Sequence, residues 1–257
     1  MVDTRNASHV GPLLAEIIAP ESEKFTAPLV LVHGLWDSPA VWRRWAGYLA
    51  HYGWRCVAVA RREIAGGIDA HVRDLRAAIA ALAVPPVIVG HDLGALLALK
   101  CTDAARAVVA LGPLVLPAAG AARALDNAGT WLTRWRGAPL RPPRGRWRRA
   151  YPRSDRREPA ALIGELATGR APLTPTPGQS AQCGVFAIAG DEVTAVADAA
   201  RLAQSIGADF EVVAGTSHAA LTDPGWESRV AAVHRWIIRR LGVELLALFD
   251  EAMQREE

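Results

Sequence analysis

The run Val87-Ile88-Val89-Gly90-His91-Asp92-Leu93-Gly94-Ala95-Leu96-Leu97 constrains the fold more than any other stretch of the chain. Three β-branched residues in succession predict a buried strand, and Ala95-Leu96-Leu97 opens a helix, so five residues must turn the chain between them. A strand-to-helix turn that tight has no room for side chains at its flanking glycines, and it pushes the central residue, Asp92, out above the sheet. There the dipole of the following helix and its free backbone N–H groups favour a carboxylate, so Asp92 is expected to be ionised at neutral pH.

Similar signals recur along the chain and predict an α/β fold with a mostly parallel sheet covered on both faces. Leu29-Val30-Leu31-Val32 reads as a buried strand ending in His33-Gly34. A helix is expected from the N-cap Ser38 with Pro39 at its first position, burying Val41, Trp42, Trp45 and Leu49 and stopping near Gly53. Strand 56–60 follows, then a helix capped by Asp69 with Val72, Leu75, Ile79 and Leu82 on one face, then strands at 87–89 and 107–111. The alternation resumes with strand 185–189, a helix around 195–206 and strand 210–213. A helix from Pro224, capped by Asp223, is expected to end at Gly242, with a final amphipathic helix through Leu245, Leu246, Phe249 and Met253. Between 112 and 182 the pattern fails in a stretch rich in Pro, Gly and Arg, which reads as an insertion. The expected organisation is therefore a first part of the core at 1–111, an inserted cap at 112–182 and a second part of the core at 183–257.

Charge is concentrated in that insertion. Residues 134–157 hold ten arginines against one acid, Asp155, while the whole chain carries only +3. Arginine is the chain's general basic residue, with 27 Arg against 2 Lys, and no recognition motif accompanies the cluster. A solvated face is expected rather than a nucleic-acid site. The three cysteines, Cys56, Cys101 and Cys183, form no CxxC pair and read as free thiols. No HExxH, paired Cys/His spacing or phosphate loop points to a metal or cofactor, so none is expected. No run is long and apolar enough for a membrane span and the N-terminus lacks a signal-like core, so a cytoplasmic protein acting on a small organic molecule is expected, its oligomeric state open.

Three elements, in order, carry a family resemblance: His33-Gly34-Leu35-Trp36 after a strand, Gly90-His91-Asp92-Leu93-Gly94 at the turn, and Gly215-Thr216-Ser217-His218 after the last core strand. The set resembles the α/β-hydrolase superfamily, in its aspartate-nucleophile branch of epoxide hydrolases and haloalkane dehalogenases. The resemblance implies an α/β-hydrolase fold with a small cap, Asp92 as nucleophile, His218 as base, and the backbone N–H groups of Leu35 and Leu93 as oxyanion donors. An acid soon after Gly190 is implied as partner of His218, with Asp191 the first choice and Glu192 the second. Each branch's own signature is incomplete: Trp36 stands where epoxide hydrolases have proline, and Leu35 and Leu93 stand where dehalogenases have their halide-binding asparagine and tryptophan.

A carboxylate is a nucleophile without losing a proton, so the histidine is free to activate water in a second step. The reading is a hydrolase that opens an epoxide or similar electrophile through an alkyl ester on Asp92. Dehalogenation, acid–base lyase or cyclase chemistry and a catalytically retired binding fold are the alternatives. Tyr151, the one tyrosine of the insertion, is the candidate proton donor there, and Trp36, Trp131, Trp135 and Trp147 are candidate pocket residues. His33 and His91 read as hydrogen-bonding groups beneath the site, and His234 as a surface residue.

Overall fold

In the computed structural model, residues 7–62, 66–115, 158–168 and 182–256 are described. Tyr151, Trp131, Trp135, Trp147 and the arginine-rich stretch lie outside them. Among the described residues there are eight strands: β1 (Ala7–Val10), β2 (Leu13–Ile18), β3 (Leu29–Val32), β4 (Cys56–Val59), β5 (Val87–Asp92), β6 (Ala107–Pro113), β7 (Gln182–Ile188) and β8 (Asp209–Val213). They form one sheet in the order β1-β2-β4-β3-β5-β6-β7-β8. The pairs β1/β2 and β2/β4 are antiparallel and every pair from β4 to β8 is parallel. The sequence pattern had not revealed β1 and β2, whose mixed polar and apolar residues lack the continuous apolar run of the central strands.

The central strands are buried on both faces, and their period of two divides the core. Val30, Val32, Val57, Val59, Ile88 and Val108 face one layer with α2 (Ile68–Ala80), α3 (Leu93–Leu99), α4 (Ala160–Thr168) and α5 (Val196–Ile206). Leu29, Leu31, Val87, Val89 and Val109 face the other, where α1 (Arg43–His51) and α6 (Trp226–Glu256) supply Trp45, Leu49, Val233 and Trp236. Both faces are therefore closed, which directs the open end of the sheet, at the C-terminal ends of the parallel strands, toward function.

Several helix boundaries differ from the sequence reading. A 3₁₀ turn, Pro39–Trp42, precedes α1, and Ser38 makes no side-chain cap bond. Gly67 rather than Asp69 is the N-cap of α2, because Glu165 of α4 accepts the Ile68 N–H at 2.8 Å and so supplies the cap from across the molecule. Gly242 does not stop a helix: α6 runs unbroken for 31 residues. A helical glycine costs about 1 kcal/mol relative to alanine, whereas burying Leu245 one turn beyond Leu241 is worth about 2 kcal/mol, so the apolar stripe wins.

Candidate active site

Asp92 ends β5 and caps α3 with φ 55° and ψ −122°, a conformation that costs a non-glycine residue on the order of 1–3 kcal/mol. The turn is held by close packing: a Cβ on Gly94 would lie 2.1 Å from the Val32 carbonyl oxygen of the neighbouring strand. Asp92 and His218 are both fully buried. The two oxygens of the Asp92 carboxylate are treated differently. Oδ2 accepts the Leu35 backbone N–H at 2.7 Å, while Oδ1 makes no hydrogen bond and lies 3.4 Å from His218 Nε2. Leu93 is the first residue of α3, where a backbone N–H has no acceptor within its own helix.

His218 is held from several sides. Its Nδ1–H donates to Asp191 Oδ2 at 2.9 Å, and Asp191 Oδ1 accepts the N–H groups of Val193 and Thr194 at 2.7 and 3.0 Å. Thus Asp191 is fixed by its own turn before it meets the imidazole. Glu192 takes the backbone instead, accepting the His218 N–H at 2.8 Å. His91 donates from Nε2 to the His218 carbonyl at 3.0 Å. Arg229 of α6, buried, donates to the carbonyls of Ala214, Ala220 and Asp223 and ties down the loop that carries His218.

These contacts set the charges. Burial alone would lower the His218 pKa, but the charge and hydrogen bond of Asp191, and then the contact and charge of Asp92, raise it to about 10. Burial alone would raise that of Asp92, but the close contact and charge of His218, the nearby His91 imidazole and the Leu35 N–H hold it below the usual carboxylate range. At neutral pH the site is an Asp92 carboxylate facing a protonated His218. Burial, helped by the His218 charge, lowers His91 to about 4, so it is neutral.

Three residues near this site had no role in the sequence reading. Asp37, half-buried, is pushed up to about 7 by burial and then by the Asp92 charge; its position two residues past Leu35 was the available signal. Arg61 follows β4, at the strand ends where sites collect. It forms an ion pair with Glu158, Nη2 to Oε1 at 2.7 Å, in which both side chains are buried. Glu158 also accepts the Trp36 N–H at 2.7 Å. No local pattern singles out Glu158, which comes 97 residues after Arg61. Trp36 itself is buried with φ 53°. His234, expected at the surface, is half-buried and accepts the Trp54 indole N–H at 3.1 Å. Among the described residues no group of His, Cys, Asp and Glu is arranged to hold a metal ion, and no helix is long and apolar enough to cross a membrane.

Comparison with known proteins bears on the same region. The model of the "Alpha/beta hydrolase family" matches residues 29–232, from β3 into α6. Among solved structures, the chain is similar to a monoacylglycerol lipase from Paleococcus ferrophilus, with TM-score 0.67 and 18% identity over 88% of this chain and 98% of that one. It is similar to a putative non-heme bromoperoxidase, BpoC, from Mycobacterium tuberculosis H37Rv, with TM-score 0.65 and 18% identity over 90% and 96%. It is also similar to Est1E from Butyrivibrio proteoclasticus, with TM-score 0.68 and 13% identity over 92% and 99%. At these identities the likeness is one of fold. No curated protein matches the sequence.

Proposed function

The chain belongs to the alpha/beta hydrolase family and is a hydrolase, and on that premise we propose that it opens an organic epoxide or similar carbon electrophile through an ester on Asp92. The observation that carries this reading is the division of the Asp92 carboxylate, with Oδ2 tied to the Leu35 N–H and Oδ1 unbonded toward His218. Oδ1 attacks the electrophilic carbon, a C–O bond forms, and the carbon's bond to the ring oxygen breaks. Tyr151, from the segment between β6 and β7, gives that oxygen its proton. Trp36, Trp131, Trp135 and Trp147 are proposed to line the pocket, and the segment between β6 and β7, apart from α4 on the core, to supply the cap above it.

Formation of the ester discharges Asp92. One of the two carboxylates that hold the proton on His218 is then gone, so its Nε2 proton passes to the Tyr151 phenolate and the neutral imidazole can serve as a base. Water loses a proton to His218 Nε2 and attacks the Asp92 carbonyl carbon. The negative charge develops on Oδ2, which already lies at the Leu35 N–H, with Leu93 as the second proposed donor. Collapse breaks the bond from Cγ to the alkylated oxygen, the diol leaves with the proton from His218, and the Asp92 carboxyl passes its own proton to His218, which restores the resting ion pair. Asp191 steadies the cationic imidazole throughout.

The test is intact-protein mass spectrometry of His218→Ala after exposure to panels of epoxides and alkyl halides. Without the base, the ester is expected to form and persist, with a mass increase equal to the whole epoxide. An increase equal to the alkyl group without halogen assigns dehalogenation instead. No adduct from either panel on the folded variant overturns the ester reading and leaves acid–base chemistry or ligand binding by the Asp92–His218 pair.

A further inference from the structure

The Leu35 N–H is aimed at Asp92 by a peptide unit whose other end is held by a buried cation. In a trans peptide the C=O and N–H point in opposite directions, so whatever grips the Gly34 carbonyl also aims the Leu35 N–H. Arg61 Nη2 donates to the Gly34 carbonyl at 2.6 Å, and His33 Nδ1 donates to it at 2.9 Å. On the opposite side the Leu35 N–H meets Asp92 Oδ2 at 2.7 Å. The approach is close enough that a Cβ at residue 34 would lie 2.6 Å from Oδ2. The next peptide is pinned as well, because Glu158 Oε1 accepts the Trp36 N–H while its two oxygens also hold Arg61 at 2.7 and 3.2 Å. Trp36 sits at φ 53°, a conformation that persists only where the surroundings impose it.

We propose that Arg61, held by Glu158, is a positioning residue that aims and polarises the Gly34–Leu35 peptide, and that it thereby couples the oxyanion site to docking of the segment that carries Glu158. A cation on the carbonyl draws electron density from the peptide and makes its N–H a stronger donor, and burial keeps water from screening the effect. Glu158 is followed by α4, whose Leu162, Ile163 and Leu166 pack into the core, so the clamp closes only when that segment is seated. The inference rests on the reading of the Leu35 N–H as the donor to Asp92 and to the oxyanion formed on it. A plain ion pair that only fastened two segments together would leave that N–H unaffected.

Gly34–Leu35 is the one Gly-Leu dipeptide in the sequence. Isotope labelling of glycine carbonyl carbons together with leucine amide nitrogens therefore gives a single nuclear magnetic resonance cross-peak that reports this peptide. In Arg61→Met the Leu35 amide proton and the Gly34 carbonyl carbon are expected to move upfield, and hydrolysis of the Asp92 ester to slow about tenfold, a fraction of what losing an oxyanion donor costs. Ester formation is expected to change little, since the donor stabilises the carboxylate before attack. An unmoved cross-peak in a variant folded by circular dichroism overturns the proposal. If Arg61→Met does not fold, Arg61→Lys and Glu158→Gln decide: smaller shifts in the same direction support it, and no shift in either overturns it. A shifted cross-peak with no adduct on Asp92 from any electrophile keeps the peptide clamp and removes the ester chemistry. Adduct formation with an unmoved cross-peak does the reverse.

Discussion

Two buried charge clusters lie side by side at the open end of the sheet, and they are built to different standards. In the Arg61–Glu158 cluster the contacts run from 2.6 to 3.2 Å, and each partner also reaches a backbone group, Gly34 O or Trp36 N. In the Asp191–His218–Asp92 cluster one junction is equally tight, at 2.9 Å, but the other is loose, with Nε2 and Oδ1 3.4 Å apart and Oδ1 without a hydrogen bond. A buried ion pair repays the cost of leaving water only when its hydrogen bonds are complete. In the first cluster both oxygens of Glu158 are held by the Arg61 guanidinium at short range, which suits a scaffold. The second leaves one carboxylate oxygen without a hydrogen bond, which fits the attacking atom proposed above.

The sharpest way to break the contrast is Asp191→Asn. It removes the charge that raises His218 and favours the wrong imidazole tautomer, and loss of turnover of about ten-thousandfold is expected, measured as kcat/KM on the electrophile found with His218→Ala. A loss under about tenfold would mean that Asp191 does not orient the base. Breaking the scaffold cluster is expected to act on stability: Arg61→Met should cost about 3–5 kcal/mol in urea unfolding, since it strands a buried Glu158. The double variant Arg61→Met/Glu158→Leu should recover much of that, and simple additivity would show that the two side chains do not act as a pair.

Asp37 sharpens the comparison through pH. Its folded pKa, about 7, lies above the ordinary 3.8, so the folded state favours its protonated form. The stability linked to that proton is fully present below about 3.8 and lost as pH rises through about 7. Asp37→Asn is therefore expected to raise the melting temperature relative to the parent above neutrality and to leave it unchanged in acid, as thermal melts across pH would show. A pH-independent difference would place the carboxyl in water. The smallest effect is expected from Glu192→Gln, which keeps an acceptor for the His218 N–H and weakens a charged hydrogen bond by about 1 kcal/mol; a loss of turnover as large as that of Asp191→Asn would reverse their roles.

Much of the fold was legible because its signals are local. The runs at β3, β5 and β6 are apolar without interruption, as strands covered on both faces must be, and α1, α2 and α6 announce themselves by their apolar spacing. Gly242 misled because a helix-stopping residue is a local cue, while the burial of Leu245 that overrides it is not. Within the candidate site, Asp92, His218 and the Leu35 N–H were legible from three short motifs in order, and Asp191 was the first choice of two adjacent acids.

By itself, then, the sequence determined the parallel α/β core, the projecting carboxylate at Asp92 and the order of the loops that carry the site, because tight-turn sterics and the periods of strand and helix act within a few residues. The tertiary structure alone decided that Asp191 meets the imidazole while Glu192 takes the backbone, that Glu165 caps α2, and that Arg61 and Glu158 close around the Gly34–Leu35 peptide. Those choices join residues far apart in the chain, and a buried polar group takes whichever partner packing brings within about 3 Å.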